Sequence, residues 1–119
     1  MEQIKPFGLH KLWRLESQNR ILLSDLKGFL HFSQEAITQY DLISVGTSSH
    51  VFDTGGFTAA ICLMESHICV HTWPELNSLT LDIYMCNYNN NNEGKVQALG
   101  LEYIEYFEGN VIKQSELYR

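Results

Sequence analysis

Apolar side chains follow two rhythms along the chain, and the change from one to the other separates helices from strands. Leu26, Leu30, Ile37 and Tyr40 recur at helical intervals, so the stretch from Ser24 to about Tyr40 reads as helix. Ser24 is placed to cap it, and Gly28 and the Ser33 region are points where it divides in two. Val96, Leu99, Tyr103 and Tyr106 or Phe107 repeat the interval and predict an amphipathic helix ended by Gly109-Asn110. Elsewhere the period is two, or the run is simply apolar. Phe7 to Leu15 is a weak first strand, and Leu42 to Phe52, rich in Ile, Val, Thr and Ser, a clearer one. Asp53-Thr54-Gly55-Gly56 supplies a turn. Phe57 to Met64 is nearly all apolar, the pattern of a central strand buried on both faces. His67 to Trp73 is halted by Pro74, Leu79 to Cys86 alternates, and the tail after Asn110 adds a short last strand. The polar run from Asn87 to Asn92 reads as a loop. These elements predict an α+β fold: one antiparallel sheet with helices packed on one face.

Composition narrows what such a domain does. At 119 residues, 45% hydrophobic and 18% charged, residues 1–119 form one folded domain and not a disordered chain. Fourteen acidic against eight basic residues give a net charge of -6, which argues against nucleic acid as partner. Cys62, Cys69 and Cys86 are odd in number and lack paired spacing, which favours a reducing compartment over a disulfide scaffold. No apolar run approaches the ~18 residues of a membrane span. Glu2, Lys5, His10, Lys11 and Arg14 break any signal-peptide core, so a cytoplasmic protein without membrane contact is expected.

Reactive side chains concentrate between Glu65 and Glu75. Strand alternation sets His67, Cys69 and His71 on one face and Ile68 and Val70 on the other. That face is either an ordinary polar surface or three ligands for zinc, with Cys86 as a fourth. No second ligand pair follows at a zinc-like spacing, so no metal is expected.

The string Glu65-Ser66-His67, then His71-Thr72-Trp73-Pro74-Glu75, then Asp82 and Cys86 resembles the bacterial and archaeal S-adenosylmethionine decarboxylase family. The correspondence runs from about Phe7 through Cys86 and needs no gap from Thr58 to Cys86. His71 lies five positions after Ser66 and Cys86 eleven after Glu75, as in that family. The resemblance implies a proenzyme that makes its pyruvoyl cofactor from Ser66. Attack of the Ser66 hydroxyl on the Glu65 carbonyl, elimination and loss of ammonia would cut the chain into residues 1–65 and 66–119. His71 matches the proton carrier of this processing, and Thr58 stands where the family has a serine near the cut. The pyruvoyl ketone would then form a Schiff base with the substrate amine and draw electrons as carbon dioxide leaves. Cys86 matches the general acid that protonates the remaining carbon. Phe52, and less closely Phe7, match rings stacked on adenine, and Glu75 matches an acid on the ribose hydroxyls. Asp82 belongs to the motif with a structural role.

By the same resemblance the substrate is S-adenosylmethionine, its product serves polyamine (spermidine) synthesis, and the cleaved protomers pair as a homodimer with sites at or near the interface. Leu76-Asn77-Ser78 and Leu12 to Glu16 depart from the family pattern close to the substrate. Arginine or ornithine decarboxylation therefore stays open as an alternative, as does a non-processing homologue acting in binding or as a scaffold. The resemblance also sets a geometric demand. A regular strand places Ser66 and His71 on opposite faces, so a bend or bulge is expected at Glu65-Ser66.

Overall fold

The computed structural model describes residues 8–88 and 90–119, which leaves Phe7 outside. Six strands form one sheet: β1 Gly8–Glu16, β2 Ser44–Val51, β3 Phe57–Leu63, β4 Ser66–Trp73, β5 Ser78–Cys86 and β6 Asn110–Tyr118. Their order is β2-β3-β4-β5-β1-β6, and every neighbouring pair is antiparallel. β2 to β5 form a meander joined by short turns. β1 instead docks between β5 and β6, with Gly8 opposite Cys86 and Glu16 opposite Ser78. Helices α1 Arg20–Leu23, α2 Leu26–Gln39 and α3 Glu93–Tyr106 complete the α+β architecture.

One face of the sheet makes the core. Leu9, Ala59, Ile61, Leu63, Ile68, Val70, Leu81 and Ile83 are all buried there beneath the helices. Phe29 of α2 is the hub, its ring 5.5 Å from those of Phe57 and Tyr103 and 6.0 Å from that of Phe107. α3 approaches β1 closely enough that a Cβ on Gly100 would lie 2.4 Å from the Trp13 ring. The few polar groups drawn into this core are bonded, as burial requires. Tyr103 Oη donates to Ser33 Oγ at 2.6 Å, and Thr72 Oγ1 donates to the Leu23 carbonyl while accepting the Phe57 N–H.

Several local expectations are corrected. The helix is capped by Asp25, whose carboxylate accepts the Gly28 N–H at 2.9 Å, whereas Ser24 closes the short α1. The division therefore falls before Leu26 and not at Gly28 or Ser33. Gly28 serves the cap instead, because a Cβ there would stand 2.2 Å from Asp25 Oδ2. β3 is not buried on both faces. Phe57, Ala59, Ile61 and Leu63 point under the helices, while Thr58, Ala60 and Cys62 lie on a face no helix covers. The last strand is nine residues long, exposed throughout along β1. Among the described residues no helix is long and apolar enough to cross a membrane.

Candidate active site

Met64 and Glu65 alone connect β3 to β4, so Ser66 is the first residue after a tight turn. The chain turns at Met64-Glu65, but Ser66 itself belongs to the regular strand, so the bend expected to carry Ser66 and His71 to one face is absent. Neither turn residue has positive φ, so the backbone turns there without left-handed strain. From Ser66 to Trp73 the strand then runs in unbroken register with β5. That register sets Ser66 opposite Met85, and the Cys86 N–H donates to Ser66 Oγ at 3.3 Å. Two residues twenty apart in sequence thus meet at one end of the sheet.

A cleft of about 290 Å³ opens here, lined by Asp41, Leu42, Ile43, Glu65, Ser66 and Cys86 among others. The asparagine-rich loop, which reads as plain polar linker in the sequence, braces its rim. Asn92 Nδ2 donates to the Cys86 carbonyl at 2.8 Å, and the Asn92 N–H donates to Asn87 Oδ1 at 2.7 Å. Composition marked this segment as loop, and nothing in its spacing pointed to Cys86.

The opposite end of the sheet gathers the remaining candidates. Thr58 on β3 faces His71 on β4, with Thr58 Oγ1 and His71 Nδ1 2.8 Å apart. The His71 ring is exposed and lies against Trp73, centroids 6.1 Å apart. Phe52 sits at the turn between β2 and β3, partly exposed, with its ring 5.3 Å from His50. Gly55 in this turn adopts φ +96, a conformation that favours glycine. Glu75 is exposed on a 3-10 turn, Pro74–Leu76, directly after β4.

The fold therefore brings together Ser66, Glu65 and Cys86, and separately Thr58, His71, Phe52 and Glu75. It does not join the two groups. Ser66 and His71 are on opposite faces of one strand, separated by five residues or about 16 Å of its length. The zinc set read from alternation is not assembled either. His71 is engaged with Thr58, and Cys69 sits opposite Asp82, its thiol pushed up to about 11 by burial and then by the Asp82 and Cys62 charges. All three cysteines are free.

Comparison with known proteins gives this arrangement its context. A family model described as S-adenosylmethionine decarboxylase matches residues 10–119. The chain belongs to the S-adenosylmethionine decarboxylase family. Curated relatives carry the name S-adenosylmethionine decarboxylase proenzyme. One from Methanococcus maripaludis strain S2 is 33% identical over 86 residues, 72% of this chain and 68% of that protein. One from Thermodesulfovibrio yellowstonii is 28% identical over 112 residues, 94% of this chain and 80% of its own. The match to the Hydrogenobaculum relative, at 32% identity, spans 61% of that protein's length. Among solved structures, the adenosylmethionine decarboxylase of Aquifex aeolicus superposes with a TM-score of 0.79 at 22% identity. That superposition covers 98% of this chain and 91% of the other, so the family fold is shared almost end to end.

Proposed function

We propose that this chain is a self-processing, pyruvoyl-dependent S-adenosylmethionine decarboxylase whose product feeds polyamine synthesis. The observation that carries this reading is the placement of Ser66: first residue after the Met64-Glu65 turn, its Oγ on the Cys86 N–H, at the mouth of a cleft. A serine needed twice, first as nucleophile on its own preceding carbonyl and then as the source of a cofactor, has to sit where chain and substrate both reach it.

Processing is then a chain of bond changes local to residues 65 and 66. Ser66 Oγ attacks the Glu65 carbonyl carbon, the peptide nitrogen leaves as the Ser66 amine, and an ester replaces the amide. Removal of the Ser66 α-proton breaks the Cβ–Oγ bond and frees Glu65 as a carboxylate. One water then displaces ammonia, which leaves a pyruvoyl group at residue 66 and two pieces, 1–65 and 66–119. Cys86 lines the same cleft as Ser66, so the group would form beside its thiol. When present, that group supplies the electron sink for loss of an α-carboxylate. Cys86 Sγ holds the proton delivered to the substrate α-carbon.

His71 and Thr58 are the proton-handling pair of the processing step, yet they stand at the far end of their own sheet. A homodimer resolves this. Two copies running in opposite senses, paired so that the His71 end of one sheet meets the Ser66 end of the other, bring Thr58, His71, Phe52 and Glu75 of one copy towards Ser66 and Cys86 of the other. Cleft size points the same way. About 290 Å³ is at or below the lower end of ordinary ligand sites, which span roughly 300–1,000 Å³, and S-adenosylmethionine is a large ligand. The second copy supplies the rest of the wall, Phe52 for adenine and Glu75 for ribose.

Release of carbon dioxide from carboxyl-labelled S-adenosylmethionine, arginine and ornithine, measured side by side on the cleaved protein, tests the substrate. Release from S-adenosylmethionine alone is expected. Preference for arginine or ornithine would move the assignment to those substrates, and release from none would leave a binding or scaffold protein.

A further inference from the structure

Halfway along the uncovered face, three strands converge on one carboxylate. Asp82 Oδ1 of β5 lies 2.9 Å from His67 Nε2 of β4 and 3.2 Å from His10 Nε2 of β1. The ligand atoms of all three residues lie within 4.8 Å of one another. The side chains of His10, His67 and Asp82 are 12%, 32% and 30% exposed, so each is held by its neighbours while the group stays reachable. We propose that His10, His67 and Asp82 form a binding site for one divalent transition-metal ion of the zinc class.

The donor set and its geometry carry the argument. Two imidazole nitrogens and a carboxylate oxygen are the usual ligands of zinc and its first-row neighbours. Ligands about 2.1 Å from a tetrahedral ion stand roughly 3.4 Å apart, close to the separations found here between each Nε2 and Oδ1. Both imidazoles also aim the same nitrogen at the same oxygen, so their lone pairs meet when the N–H protons leave to solvent or shift to Nδ1. The support is rigid, because β4, β5 and β1 are adjacent central strands. The His10 and His67 rings are 5.3 Å apart, edge to face, and each is 5.9 Å from the Tyr84 ring. A fourth position faces outward and is left to water.

The same atoms also form a hydrogen-bonded triad. Arg119 donates to His10 Nδ1 at 3.3 Å, which leaves the His10 proton on Nε2 towards Asp82. A metal has to move that proton and displace the guanidinium, so Arg119 opposes binding. The site rests on side chains of a single chain and does not depend on the decarboxylase reading.

Titration of tag-free protein with Zn²⁺, followed by calorimetry, and with Co²⁺, followed by its visible absorption, tests the site. One equivalent per chain is expected, and His67→Ala, His10→Ala and Asp82→Asn should each weaken binding by more than about tenfold. Arg119→Met should strengthen it. His31→Gln, which removes the exposed pair of His31 with Glu35 3.7 Å apart, should change nothing. Should an alanine variant unfold, His10→Gln and His67→Gln replace it, and imidazole ¹⁵N shifts in the unmutated protein decide the matter without any variant. Zn²⁺ should move the His10 and His67 resonances and spare His31. Absence of stoichiometric binding, or binding indifferent to His10 and His67, would overturn the proposal.

Discussion

The two ends of the sheet offer different chemistry. At one, Ser66 and Cys86 meet beside a cleft through a backbone hydrogen bond, braced by Asn92. At the other, Thr58 and His71 form an exposed side-chain pair beside a loop bearing Phe52 and a turn bearing Glu75. In the proposed reaction the first end holds the serine and the thiol, and the second the imidazole, the aromatic ring and the carboxylate of Glu75. About 16 Å of strand separates Ser66 from His71 within one chain. On the proposed reading each end supplies what the other lacks, and a second copy is needed for chemistry and not only for stability.

Breaking the first end has the largest expected effect. Ser66→Ala removes the oxygen that attacks Glu65, so cleavage should vanish while the circular dichroism of the folded protein persists. Electrophoresis after long incubation reads this directly.

The second end is next. His71→Ala should slow cleavage by about 10²–10⁴-fold, the usual worth of a positioned proton carrier. A mixture then sharpens the comparison. Co-expressing the Ser66→Ala and His71→Ala chains should restore rapid cleavage of the His71→Ala chain, because Ser66 of one copy then faces His71 of the other. If the mixture cleaves no faster than His71→Ala alone, the two ends do not belong to one shared site.

Cys86→Ala should be smallest in its effect on processing and still large in turnover. Cleavage goes to completion, while kcat falls by about 10²-fold with little change in KM. Equal losses in both steps would mean that Cys86 supports Ser66 structurally and is not the acid.

How far these two ends were legible in the sequence follows from the range of the contacts that make them. Strands and helices were read from local period, and β3, β4, β5 and α3 lie close to where their apolar residues put them. Thr58 and His71 were both named by the family resemblance, and that they face each other is set by β3–β4 register. The cap of α2 failed because Ser24 and Asp25 are adjacent and equally good capping residues. Only the bond to Gly28 separates them. The one-sided burial of β3 failed because alanine and cysteine count as apolar wherever they point. The meeting of Ser66 with Cys86 depends on β4–β5 register, and that of His10 with Asp82 on β1 slotting beside β5 across 72 residues of sequence. Spacing carries no trace of either.

The central claim is that the chain cuts itself between Glu65 and Ser66. Intact mass spectrometry of purified protein tests it most directly. Two species are predicted, one of residues 1–65 and one of 66–119, the latter starting in a pyruvoyl group that borohydride reduces. A single mass for the full 119 residues, unchanged after long incubation, would contradict the account.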